Sequence, residues 1–247
     1  MFHKVTHLLS VSVDHKTIKG KAYGALTGIL YLAPHTLSGY QVCPKASEGC
    51  KAACLFTSGR GIYNNIQQAR INKTKWFFED RESFMELLIN DLEKLIKKAK
   101  KEKLNPVCRL NGTSDIAWEK IKCYRQGPFN SVMEAFPEIQ FYDYTAISGR
   151  KRALSLKNYT LVFSLKENND KDALKALNEG YNVAVVFDIK KTDNKPKTWS
   201  GYKVINGDMH DIRINEGKKK IVGLSPKGKA RKDITGFVRS IHSSLKV

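Results

Sequence analysis

Three cysteines fall close together in the stretch Cys43-Pro-Lys-Ala-Ser-Glu-Gly-Cys50-Lys-Ala-Ala-Cys54. Gaps of six and then three residues, with Pro44 and Gly49 between, let a loop turn back so that the thiolates converge. Converging thiolates repel unless a cation compensates, and a bound metal does so directly. Cysteine runs of this kind are the ligands that iron–sulfur clusters use. Structural zinc competes, but it takes four ligands, often as two close pairs, and would have to recruit Cys108, Cys123 or His35. A chance group of buried thiols is the third reading. We therefore expect a metal-binding loop with Cys43, Cys50 and Cys54 as ligands, a 4Fe-4S cluster as first choice and zinc as the alternative. Cys108, on a strand, and Cys123, on a helix face, are assigned to packing.

Four further groups of polar residues could do chemistry. Arg109, Asn111, Ser114 and Asp115 follow a short strand and could face one site, where Arg and Asn suit a carboxylate, a phosphate or a base edge. The competing reading is a helix N-cap with a salt bridge. Tyr142 and Tyr144 share one strand face, with Asp143 on the other, so the phenols either donate to a substrate or pack in the core. Asp208, His210 and Asp211 could bind a divalent ion or act as acid and base, or form a polar turn. Lys227, Lys229, Arg231 and Lys232, around Gly228, read as a phosphate-contacting loop or as a solvated basic tail. No Ser/His/Asp nucleophile pattern and no Walker-type loop is present.

The whole chain limits what these groups can serve. Forty-three Lys and Arg against 24 Asp and Glu give a net charge of +19, which favours nucleic acid or another phosphate-bearing partner over a neutral metabolite. Apolar content of 41% and charged content of 27% suit a soluble globular protein, with no run long enough for a membrane span. No secretory signal is visible, so a cytoplasmic location is expected, and an odd count of five cysteines in that setting favours metal over disulfides. No sequence feature speaks to the oligomeric state.

The elements that must position these residues read as strands alternating with helices. Strands are expected at 9–13, 26–33, 107–110, 139–144, 159–164, 183–187, 203–205 and 220–224. Helical patterns run over 62–103, divided near Asp80, then over 116–123, 131–136, 148–156 and 170–178. About six parallel strands with outer helices, and no glycine-rich dinucleotide fingerprint, favour a full or partial (βα) barrel formed by a single domain over 1–247. Within it, 1–24 forms an N-terminal strand extension and 225–247 a basic tail. Barrel chemistry sits at the carboxyl ends of the strands, and that is where the polar groups fall.

A three-cysteine loop directly after an early strand, followed by βα units, resembles the radical S-adenosylmethionine enzymes. More closely, the chain is similar to a phage- and plasmid-borne group called the gene product 88 family. The residues carrying this are Pro34-His-Thr-Leu-Ser-Gly39, the cysteine loop, Arg60-Gly61, Arg109-Leu-Asn-Gly-Thr-Ser-Asp115, Phe141-Tyr-Asp-Tyr-Thr145, Gly207-Asp208 with Asp211 and Arg213, and Gly223-Leu-Ser-Pro-Lys-Gly-Lys-Ala230. The resemblance implies a barrel of the radical-enzyme type and a 4Fe-4S cluster on Cys43, Cys50 and Cys54. It also implies S-adenosylmethionine at the iron without a cysteine ligand. Asn111, Ser114 and Ser164 are then candidate cofactor contacts, with Arg109, Asn111, Asp115, Tyr142, Tyr144, Asp208 and Asp211 as candidate catalytic residues. The alternatives are a nucleic-acid-binding or replication-related protein with a structural metal, and a metal-dependent nuclease using Asp208 and Asp211.

Overall fold

The computed structural model describes residues 3–13 and 15–246, and for His15 and Lys16 the backbone alone. The expected extension over 1–24 and tail over 225–247 therefore include Met1, Phe2, Asp14 and Val247, which lie outside the described residues. In chain order the elements are β1 (Leu9–Val11), α1 (His15–Gly20), β2 (Ala25–Leu30), α2 (Glu48–Ala52), α3 (Asn64–Glu79), α4 (Arg81–Lys101) and β3 (Asn105–Arg109). There follow β4 (Cys123–Tyr124), β5 (Pro128–Phe129), α5 (Val132–Ala135), β6 (Gln140–Thr145), α6 (Lys151–Ser155), β7 (Tyr159–Ser164) and α7 (Asp170–Asn178). The last are β8 (Asn182–Phe187), β9 (Thr198–Trp199), β10 (Tyr202–Asn206), β11 (Ile221–Leu224) and β12 (Val238–Arg239).

One sheet carries the site. Its parallel strands run in the order β2-β3-β6-β7-β8-β11-β10, with β1 antiparallel on β2 and β9 antiparallel on β10. No ladder joins β1 to β9 among the described residues. β7 pairs with β8 only at Asn182, Val183 and Ala184; farther on, β12 takes up Val186 and Phe187 of β8 in parallel. β4 and β5 form a separate small hairpin.

The side-chain alternation of the strands divides the sheet into two faces. Leu26, Leu30, Cys108, Phe141, Phe163, Val183 and Val185 face the main core, together with Phe84, Leu88 and Leu92 of α4, Val132 of α5 and Leu177 of α7. Val107, Tyr142, Val162, Ala184 and Val222 point the other way, where Ile212 and Ile214 pack over part of the face. α4 is a long amphipathic helix whose apolar stripe sits at spacings of three and four residues. Asp80 stops α3 and caps α4 by accepting the Ser83 amide, and Lys98, Lys100 and Lys101 meet the negative end of the helix dipole.

The expected helix over 116–123 is a correction. Only Trp118–Lys120 makes a single 3-10 turn, and Cys123 opens β4 rather than lying on a helix face. The reason is local competition. The Asn111 side chain donates to the Ile116 carbonyl and accepts the Ile116 amide, both at 2.9 Å, taking the groups a helix would use.

Candidate functional site

The cysteine loop is folded back by bonds to the strands around it. His35, at a φ of 41°, accepts the Val42 amide through its carbonyl, and Asp115 N–H donates to the Val42 carbonyl at 2.8 Å. The loop after β2 is thereby tied to the loop after β3. The Cys43 sulfur accepts the His35 amide at 3.4 Å and donates to the Thr113 carbonyl at 3.8 Å. Ser47 caps α2 by accepting the Cys50 amide, which puts Cys50 in the first turn. From the loop after β7, Glu167 accepts the Gly49 amide and the Ser47 hydroxyl, each at 2.8 Å, while the Lys166 ammonium donates to the Lys45 carbonyl. A Cβ on Gly49 would lie 2.3 Å from the Thr235 hydroxyl and 2.8 Å from the Glu167 carboxyl, so this position has no room for a side chain.

All three cysteines are unpaired thiols. Burial pushes the Cys43 thiol up to about 12, with Asp115, Cys54 and Cys50 adding to the rise against a backbone bond from His35. Burial likewise lifts Cys50 to about 11, helped by Cys54 and opposed by Lys166. Cys54 is raised by burial, against the Phe56 amide and the Arg70 charge. The thiols thus share one electrostatic neighbourhood. Among the described residues, however, no group of three or more His, Cys, Asp or Glu side chains is placed to hold a metal ion.

Beside this loop, at the carboxyl ends of the parallel strands, lies a cavity of about 1110 Å³ with an inner extension of about 190 Å³. The two share Leu55, Arg109, Asp208, Asp211, Ser225, Lys227 and Ala230 in their walls. Ala53 and Leu55, which flank Cys54, line the inner part, as do Tyr144 and Ser164. None of the three cysteines lines either part. Lys227 and Arg231 face the outer part, whereas Lys229 and Lys232 are exposed outside it. Gly228 adopts a φ of 52° and presses against Thr57 and Ser58, so the basic loop seats on the segment leaving Cys54.

The floor is a set of buried pairs. Arg109 meets Asp211 at 3.2 Å and also donates to the Asn111 carbonyl, while its guanidinium lies 4.8 Å over the Tyr144 ring. The Tyr142 hydroxyl donates to the same Asp211 oxygen at 3.0 Å. Burial raises the Tyr142 and Tyr144 phenols, so both stay protonated. Asp208 pairs with Lys195 at 3.2 Å and accepts the Ser225 amide at 2.8 Å. Arg213 donates to the Tyr144 hydroxyl and the Gly207 carbonyl and pairs with Glu216.

The structure separates the residues predicted to act together. Arg109, Tyr144, Ser164, Asp208, Asp211, Lys227 and Arg231 line the cavity. Asn111 does not: its side chain holds Ile116, Ser114, Trp118 and Asp143, and Ser114 serves that same network. Asp115 accepts the Ala146 amide and lies 3.7 Å from Arg150, itself paired with the buried Glu119. Burial lifts the Asp143 carboxyl to about 7, against bonds from Asn111 and Tyr159. The His210 ring lies against the Tyr23 ring, tilted by 55° with centroids 4.4 Å apart. Asp208 and Asp211 each pair with a cation of the chain, Lys195 and Arg109 respectively. Sequence reasoning missed Arg70 and Lys195, whereas the polar run from Lys166 to Asn168 after Ser164, which includes Glu167, is legible as a cluster at a strand's carboxyl end.

The model of one protein family, described as Gene product 88, matches residues 7–241. No curated protein and no solved structure matches the chain. No helix among the described residues is long and apolar enough to cross a membrane.

Proposed function

The chain belongs to the Gene product 88 family, and from that premise we propose that it is an iron–sulfur enzyme of phage or plasmid origin, similar to radical S-adenosylmethionine enzymes and acting on nucleic acid or a nucleotide-like substrate. The observation that carries this reading is the cysteine loop clamped against a cation-lined cavity at the carboxyl ends of parallel strands. In this reading the sheet is the wall of a partial barrel, an idea supported by its parallel order and by a helix-packed core on the face opposite Tyr142 and Val222.

The donor set suits a cluster better than a lone zinc. A tetrahedral zinc would draw its sulfurs to within roughly 4 Å of one another and needs a fourth ligand. Here the chain offers three thiols in one loop, whose charges act on one another. A polynuclear cluster holds its thiolates farther apart on separate irons. Cys43, Cys50 and Cys54 would hold it, and it would supply an electron for reductive cleavage of S-adenosylmethionine.

The chain's own groups would then bind and orient. Lys227 and Arg231 attract phosphate at the outer wall, while the Ser164 hydroxyl and protonated Tyr144 offer donors within. The Arg109–Asp211–Tyr142 group holds the floor rigid and keeps its proton on the phenol. A second reading, a nucleic-acid-binding protein with a structural metal, is favoured by Lys229 and Lys232, which are exposed and do not line the cavity.

Anaerobic purification with iron, sulfide and zinc analysis and a visible spectrum tests the cluster. Iron with acid-labile sulfide is expected, and colourless protein holding one zinc overturns it. Release of 5′-deoxyadenosine on adding S-adenosylmethionine and a strong reductant separates the enzyme from the binding protein.

A further inference from the structure

The sheet forks beside Tyr144. Tyr144 of β6, Val162 of β7, Ala184 of β8 and Leu224 of β11 share one face, and Ser164 joins them two residues beyond Val162. Ser164 opposite Ala184 is the last register pair between β7 and β8; beyond it β12 takes up Val186 of β8. Phe237 directly precedes β12 and is thereby brought to the fork. The inner extension of the cavity, about 190 Å³, lies here. Ala184, Val186, Leu224 and Phe237 give it apolar walls, with Ala53 and Leu55 on the side of the cysteine loop. Sites for whole drug-sized ligands run to roughly 300–1,000 Å³, so this niche suits a single flat ring system.

Two hydroxyls line the niche with bonding capacity unused. The Tyr144 hydroxyl accepts the Arg213 Nε–H at 2.8 Å, which leaves its own proton to donate, and burial keeps the phenol protonated. The Ser164 hydroxyl makes no hydrogen bond among the described residues. In the outer cavity Arg60, Lys190, Lys191 and Arg231 are exposed and make no ion pair among the described residues. Asp188 and Asp233 line it too, but their carboxylates accept the Ile241, Gly236 and Val238 amides.

An apolar slot with two available hydroxyls, opening into a space walled by cations, matches a base attached to phosphates. We propose that the inner niche takes one unpaired nucleobase of a single-stranded nucleic acid whose phosphates lie along the outer cavity. The Tyr144 proton then meets a ring nitrogen or carbonyl acceptor of the base, and Ser164 meets a donor or an acceptor. Phe237 and Leu224 cover the ring. A base inside a duplex stays stacked and paired and cannot enter. The inference rests on the cavity being the proposed nucleic-acid site, but it does not need the cluster.

The test measures equilibrium binding of the full chain as purified to two single strands of equal length, one bearing its bases and one abasic throughout. We expect the base-bearing strand to bind about tenfold more tightly. Ser164→Ala, which removes no bond of the fold, and Tyr144→Phe should each erode that advantage several-fold and leave abasic binding as it was. Arg60→Gln with Lys190→Gln should weaken both strands alike and flatten the salt dependence. Equal affinity of the wild-type protein for the two strands overturns the niche assignment, and needs no variant to fold. So does an equal loss for both strands in Ser164→Ala and Tyr144→Phe. Loss of the advantage on saturation with S-adenosylhomocysteine gives the niche to an adenosyl group and overturns its assignment to the strand. Weak, salt-insensitive binding of both strands sinks the nucleic-acid reading of the whole cavity, and the inference with it. Iron content and absorption of the same samples report the cluster separately, so the two readings can fail independently.

Discussion

The Glu167 carboxylate accepts the Gly49 amide at 2.8 Å, so a residue from the loop after β7 fixes the backbone between Cys43 and Cys50. The same carboxylate holds Ser47, the cap of the short helix that carries Cys50. Glu167→Ala removes both bonds and should cost about 1–3 kcal/mol in urea unfolding, together with iron retained through gel filtration. Gly49→Ala should be worse, because its Cβ would meet Thr235 and Glu167 at once. Full iron retention in both variants would mean that the clamp does not position the thiols.

Asp211 serves Arg109 and Tyr142 in a setting where its side chain is about nine-tenths buried. Asp211→Asn leaves the Arg109 charge buried without a counter-ion and should lower stability by about 3–5 kcal/mol. Pairing it with Arg109→Met should recover much of that loss. A thermal melt of the two variants decides the matter, and an equal loss in the double variant would refute the pairing argument.

The thiols titrate late. With Cys43 lifted to about 12 and Cys50 to about 11 by burial, the metal-free folded protein keeps protons that an unfolded chain gives up near its ordinary thiol range. Their contribution to stability is present below about pH 8.5 and is lost as pH rises through 11 and 12. A metal held by these thiols, as proposed, would displace those protons, so its loading should tighten with rising pH. Alkylation by iodoacetamide should be slow at pH 8, accelerate above pH 10, and be blocked at both once metal is bound.

Asp143 supplies a second pH effect of the same sign. Its carboxyl, raised to about 7 by burial, binds a proton in the folded state that the unfolded chain releases near pH 4. That stabilisation is full below pH 4 and is lost as pH rises to about 7. Asp143→Asn should flatten the fall in unfolding free energy across this window, a change of up to about 4 kcal/mol. A wild-type profile already flat from pH 4 to 8 would remove Asp143 as its cause.

Much of the scaffold could be read from residue pattern. The alternation in Tyr159–Ser164 and the polar start and glycine stop of Asp170–Asn178 mark β7 and α7 at their observed bounds, and Asp80 divides α3 from α4 as its capping role requires. These are local signals, complete within a dozen residues. The pattern around Asn111 suits both a ligand contact and a brace, and only the fold shows that its side chain braces Ile116. Arg70 and Lys195 carry no local mark, and for Glu167 the sequence marks only a polar run after a strand, not its partner. Their partners lie far away in sequence, as Glu167 with Gly49 and Lys195 with Ser225. Such meetings depend on strand order, which periodicity does not encode.

β12 completes β8 where β7 leaves it, and Arg239 then reaches back to the Lys166 carbonyl and Asp170. Val238 lines the same cavity as Ile29 and Tyr31. Its walls therefore come from segments made at opposite times during translation. A ribosome that has produced the thiol loop has yet to make the strand that closes over its neighbourhood. Contacts this distant in sequence form slowly. Thiol chemistry on the nascent chain, whether metal delivery or unwanted oxidation, has an open interval before Thr235, which seats against Gly49 of the cysteine loop, has emerged and docked.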